Sequence, residues 1–120
     1  MTHGYYAEVE GTQRRVWNVE GLWRLASDLV PFEYAVERFE GFDVDAWYCG
    51  VNVPTIRSVL EHARRIEACD FTHPILLAES GAVMDGVHRI CKATLQGRLT
   101  IPAVQFRPNP APDRIEPWPP

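Results

Sequence analysis

The chain has no run of about 18 apolar residues, so it offers no candidate membrane span. It has only three cysteines, Cys49, Cys69 and Cys91, odd in number, widely spaced and without a Cys-x-x-Cys pair. That argues against a disulfide framework and points to reduced, buried thiols. Cys69-x-x-x-His73, with His62 and Cys49 elsewhere, has none of the regular spacing of a zinc site, so no metal ligand set is expected. Positive charge is not in excess: 12 Lys and Arg stand against 16 Asp and Glu, a net charge of −4. Broad nucleic-acid binding depends on neutralising phosphates with Lys and Arg, and this balance disfavours it without excluding a local basic patch. The N-terminal Met1-Thr-His-Gly-Tyr-Tyr-Ala-Glu8 lacks the basic and apolar regions of a signal peptide, so a cytoplasmic location is expected. No internal repeat is present.

What is there suits one small folded unit. The 120 residues are 46% hydrophobic and 23% charged, enough apolar content for a single core. Asn18 is placed to cap a helix from Val19 to Val30, with Leu22, Leu25, Ala26 and Leu29 at helical spacing and Pro31 ending it. Phe32, Tyr34 and Val36 then alternate with polar residues as a half-buried strand. A loop from Gly41 to Val53 carries Asp43, Asp45, Trp47 and Cys49. Pro54 suits a first helical turn, and Thr55 to Ala68 places Ile56, Val59, Leu60, Ala63 and Ile66 on one face. Arg57, Glu61, Arg64 and Arg65 occupy the other.

The segment from Pro74 to Phe106 is the most informative. Pro74–Glu79 and Ala82–Met84 form a hairpin pattern around Ser80-Gly81. Asp85-Gly86 is a tight turn into a helix from Gly86 to Gln96, Gly97 is a C-terminal stop, and Ile101–Phe106 is a strand. A helix start collects unpaired N–H groups and a positive dipole end. Here Asp85, Gly86, Val87, His88, Arg89 and Lys92 gather at that point, which suits an anion and above all phosphate. Arg89 is the strongest candidate, because its planar fork fits a phosphate bidentately. The alternative is a plain hairpin exit with Asp85 as N-cap and Arg89 paired to Asp43 or Asp45. Six of the ten prolines fall in residues 107–120, which reads as an extended tail outside a domain formed by residues 1–106.

Pro74-Ile-Leu-Leu77, Val83-Met-Asp-Gly-Val-His-Arg89, Lys92-Ala93, Gly97 and Thr100-Ile-Pro-Ala-Val104 together resemble the ParB N-terminal/sulfiredoxin-like superfamily. The wider pattern around Pro54-Thr-Ile-Arg57 and Glu61-His-Ala-Arg-Arg-Ile66 resembles small bacterial ParB-like single-domain proteins. The likeness covers about residues 54–106. It implies an α+β fold, a small mixed sheet packed with about three helices, and a Gly-x-His-Arg turn that holds nucleotide phosphates. A nucleotide such as ATP or CTP, with Mg²⁺, is the cofactor it implies. Two departures limit what carries over. No helix-turn-helix DNA-binding segment follows the motif, and Val87 stands where sulfiredoxins carry their nucleophilic cysteine.

Several side chains keep two readings. Asp43 and Asp45 suit a Mg²⁺ ion or a general base, or are simply solvated. Trp47 and Tyr48 suit stacking on a base, or plug the edge of the core. His62 lies on the polar side of its helix, where solvation is expected. Arg57, Arg64 and Arg65 either widen a positive pocket or form a solvated face. No residue stands out as a nucleophile or base, so whether the chain is an enzyme is left open. Two functions follow: a domain binding a phosphate-bearing small molecule, or a non-enzymatic module contacting protein or nucleic acid through the arginine helix and the proline tail. A homodimer is compatible with either.

Overall fold

A computed structural model describes residues 4–48, 50 and 52–120; Cys49 lies outside the described residues. The architecture is α+β, with three helices and two sheets.

The four-stranded sheet holds the core. Its order is β3 (Phe32–Ala35), β6 (Thr100–Gln105), β4 (Ile75–Leu77) and β5 (Val83–Asp85), and only β4 and β6 are parallel. Residues 75–78 are fully buried because both faces are covered, as a continuous apolar run demands. Strand alternation sends Ile75 and Leu77 toward Ile90 and Ala93 of α3 (Val87–Leu95), while Leu76 and Ala78 pack with Trp17 and Leu22 on the opposite face. The Ser80-Gly81 hairpin forms as its sequence predicts, closed by Ala78 N–H to Ala82 O at 2.8 Å.

Helix α1 runs only from Val19 to Leu25, and Ala26–Asp28 tightens into a 3₁₀ turn. The helix expected to reach Val30 stops short, since Val30 precedes Pro31 and that neighbour disfavours the helical region. Asn18 caps it as expected, accepting from Gly21 N–H at 3.1 Å. The strand expected through Val36 ends at Ala35, and Val36–Arg38 is a second 3₁₀ turn with Val36 buried.

Helix α2 spans Ile56–Ala68. Thr55, not Pro54, opens it: Thr55 Oγ1 accepts Ser58 N–H and Ser58 Oγ accepts Thr55 N–H, a reciprocal capping box. Its orientation corrects the sequence expectation. Ile56 is 83% exposed, Val59 52% and Leu60 49%, while Ser58, His62, Ile66 and Cys69 turn toward the body. Amphipathicity fixes that a helix has two faces, but here polar contacts to α3 decide which one turns inward.

The second sheet is antiparallel, ordered β1 (Tyr5–Glu10), β2 (Gln13–Asn18), β7 (Arg114–Pro117). The C-terminal segment is therefore extended but not detached. It returns along β2, where Trp17 Nε1 donates to Pro110 O at 2.9 Å and Asn18 N–H to Asp113 Oδ2 at 2.6 Å. Arg14 meets Glu116 at 2.8 Å and lies 4.2 Å from the Trp118 ring centre. Proline density suggests a solvated tail when read alone. Here β7 is an edge strand, where a missing N–H is tolerated.

Candidate functional site

The start of α3 is set by Gly86. Its φ is 123°, and a Cβ placed there would lie 2.4 Å from Ile75 Cγ2 and 2.7 Å from Ile75 Cβ. Only a residue without a side chain lets the helix start press so closely on β4. Gly86 O accepts from Arg89 and Ile90, and the N–H groups of Val87 and His88, in the first turn, have no intrahelical acceptor. At the far end Gly97 takes φ 70°, with Arg98 N–H bonded to Ala93 O and Gly97 N–H to Thr94 O, the Schellman closure that its sequence suggests.

The cations expected at this helix start are largely engaged elsewhere. Lys92 Nζ donates to Glu67 O at 2.8 Å and to Cys69 O, so it caps the carbonyl end of α2. Arg89 Nη1 donates to Pro74 O at 2.9 Å and has no carboxylate partner among the described residues. Asp85 is not the N-cap. Its Oδ2 accepts the indole N–H of Trp23 at 2.7 Å and ties β5 to α1. Val87 lines a cavity of about 100 Å³ with Phe39, Phe42, Trp47 and Cys91. Among the described residues no group of three His, Cys, Asp or Glu side chains is placed to hold a metal.

His88 instead meets His62. The two imidazoles are 2.9 Å apart, Nδ1 of His62 to Nε2 of His88, so one ring nitrogen donates and the other accepts. Trp47 stacks on both, at 4.2 Å and 14° to His62 and 5.1 Å and 6° to His88. Tyr48 meets His62 edge-on at 5.7 Å, and Ser58 Oγ donates to its hydroxyl at 3.3 Å. The loop that carries Trp47 is fastened by Asp45, whose carboxylate accepts from the N–H groups of Tyr48 and Gly50 at 2.7 and 2.8 Å. Asp45 thus serves the loop, and Asp43 is exposed.

Burial pushes the His62 imidazole below its ordinary pKa, helped by Arg65 and opposed by Glu61. For His88 burial again leads, followed by His62, Arg65 and Arg89, with Asp85 alone opposing. The site is thus an aromatic-capped pair of imidazoles biased to the neutral form, at a positive helix end with Arg65 and Arg89 nearby. It offers one ring N–H not used within the pair, the first-turn backbone N–H groups of Val87 and His88 and a positive field. Sequence reasoning placed His88 here but left His62 to solvent. The only available signal was His62 lying one turn from Ser58 and Ile66, a pattern that gains meaning only once α2 is known to pack along Ser58, His62, Ile66 and Cys69.

Comparison with protein-family models, curated proteins and solved structures finds no match. Among the described residues no helix is long and apolar enough to cross a membrane.

Proposed function

We propose that the chain is a phosphate-binding domain of ParB/sulfiredoxin-like type, taking a nucleotide such as ATP or CTP, with or without Mg²⁺, at the N-terminus of α3. The observation that carries this reading is the His62–His88 pair, bonded at 2.9 Å and capped by Trp47 beside the free N–H groups of Val87 and His88. A bound phosphate would take the one ring N–H left free by the pair together with backbone N–H donors, where Arg65 and the helix dipole already favour negative charge. The dipole contributes about 0.3–1 kcal/mol, and a charge-assisted bond about 1.5–3 kcal/mol. Binding in the millimolar to micromolar range follows from two or three such contacts.

Arg89 and Lys92 are redistributed in this reading. Lys92 supports α2, and Arg89 contributes its field and, on releasing Pro74 O, a direct contact. Isothermal titration with ATP, CTP and pyrophosphate, with and without Mg²⁺, tests it. His88→Ala is expected to weaken binding about tenfold, near the worth of one charge-assisted bond. Absence of heat and of any thermal shift with all three ligands rejects the reading.

One observation favours the second reading, an interaction module. Ile56, Val59, Leu60 and Ala63 form an exposed stripe along α2, spaced as helix-in-groove anchors are. Self-association or capture of a helical partner that Leu60→Glu abolishes would support it.

A further inference from the structure

A cleft lies at the other end of β4 from the start of α3. About 580 Å³ of space opens where Leu77 of β4 and Gln105 of β6 pair, at the carboxyl ends of the two parallel strands. That is the usual position for a ligand crevice in sheets with parallel strands, and the volume lies within the small-molecule range. Phe32 and Phe39 supply aromatic walls, and Tyr34, Arg38 and Glu40 supply the polar groups.

Tyr34 is only 4% exposed, yet its hydroxyl has no hydrogen-bond partner among the described residues. The ring is buried on β3 while the hydroxyl is not among the buried unpartnered atoms, so it opens to the cleft and is free to donate to or accept from a ligand there. Arg38 and Glu40 stand beside it. Burial pushes the Tyr34 phenol up, Arg38 pulls it down and Glu40 pushes it up, so both charges act on the same hydroxyl. Neither forms an ion pair with the other or with any described residue. A simple anion would meet Glu40, and a simple cation would meet Arg38. A molecule carrying both charges satisfies both.

We propose that this cleft binds a small zwitterion with an apolar body, the chemistry of a free α-amino acid. Its carboxylate lies on Arg38 and the Tyr34 hydroxyl, its ammonium on Glu40, and its side chain between Phe32 and Phe39. The site is independent of the phosphate reading and stands or falls without it.

Calorimetry and thermal shift on the full chain, with L-phenylalanine and L-leucine as zwitterions, 3-phenylpropionate as the anion and phenethylamine as the cation, test this. The expected result is saturable zwitterion binding in the millimolar range or tighter, with the single-charge probes at least about tenfold weaker. Arg38→Gln and Glu40→Gln, both at exposed positions, should each lower zwitterion affinity about tenfold with unchanged circular dichroism, and Tyr34→Phe by about three- to tenfold. No saturable binding of either zwitterion at about 10 mM overturns the proposal. So does equal binding of the anion, the cation and the zwitterions, which would mark an unselective apolar cleft. Unchanged affinity in both charge variants overturns it as well.

Discussion

Replacing Gly86 by alanine probes the junction on which the site is built. Two costs combine. A φ of 123° is a glycine conformation, and holding an L-residue there costs about 1–3 kcal/mol. The new Cβ would also sit 2.4 Å from Ile75 Cγ2, 2.7 Å from Ile75 Cβ and 3.2 Å from Ile75 Cα. Rotating the Ile75 side chain moves Cγ2 but not Cβ, which the backbone fixes, so the clash cannot be relieved that way, and overpacking of this kind costs about 1–3 kcal/mol more. Gly86→Ala should therefore lose about 2–6 kcal/mol in urea unfolding, a large share of the 5–15 kcal/mol usual for a domain. Ile75→Ala alone should cost about 2–5 kcal/mol as a cavity in the core. In the Gly86→Ala background it should cost at least about 0.5 kcal/mol less, because the two side chains compete for one space. A Gly86→Ala protein as stable as the parent, or strict additivity with Ile75→Ala, would refute the close approach of α3 to β4.

Three further expectations follow from the same contacts. Deleting residues 113–120 removes β7, the Asp113 bond to Asn18 and the Arg14–Glu116 pair, and should cost about 2–4 kcal/mol in thermal or urea unfolding, whereas a detached tail would leave the midpoint unmoved. Lys92→Met should release the carbonyl end of α2, lowering stability by about 1–3 kcal/mol and speeding amide exchange in α2 ahead of β4 and β6; uniform exchange would contradict this. Both imidazoles of the His62–His88 pair sit below the ordinary 6.5, so below that pH the unfolded chain binds more protons than the folded one. Stability is then complete above about pH 6.5 and falls as pH drops toward the lowered values, with His62→Asn and His88→Asn flattening the slope; a slope of opposite sign would contradict the neutral pair.

Legibility in the sequence tracked how local the determinant was. The α3 frame could be read because Gly86, Gly97 and the Ser80-Gly81 turn act within a few residues of themselves. The apolar run Ile75–Ala78 could be read as a hairpin strand, but its coverage on both faces emerged only from the structure. The facing of α2 could not be read. Its apolar stripe should have turned inward on hydrophobic grounds, but His62 on His88 and Lys92 on the last carbonyls of α2 hold the helix rotated so that only Ile66 of that stripe faces the body. These partners lie 23 to 26 residues apart in sequence, beyond any periodicity. The three-stranded sheet was hidden similarly, since β7 pairs with β2 across about a hundred residues and its prolines mimic a tail. Within the candidate site, His88 was visible from the motif. His62 and Trp47 became part of it only through packing, and Asp85, Arg89 and Lys92 proved to bind α1, β4's entry and α2.

The most direct test of the phosphate reading is the titration of His62 and His88 by NMR of their imidazole protons, with and without ATP at constant ionic strength. A polyphosphate bound beside the pair favours the charged imidazoles, so both titrations should move upward, by about one unit for each 1.36 kcal/mol of added attraction. Nucleotide binding would then tighten as pH falls toward 6. Titration curves that superimpose with and without about 10 mM ATP would contradict a phosphate site at the start of α3.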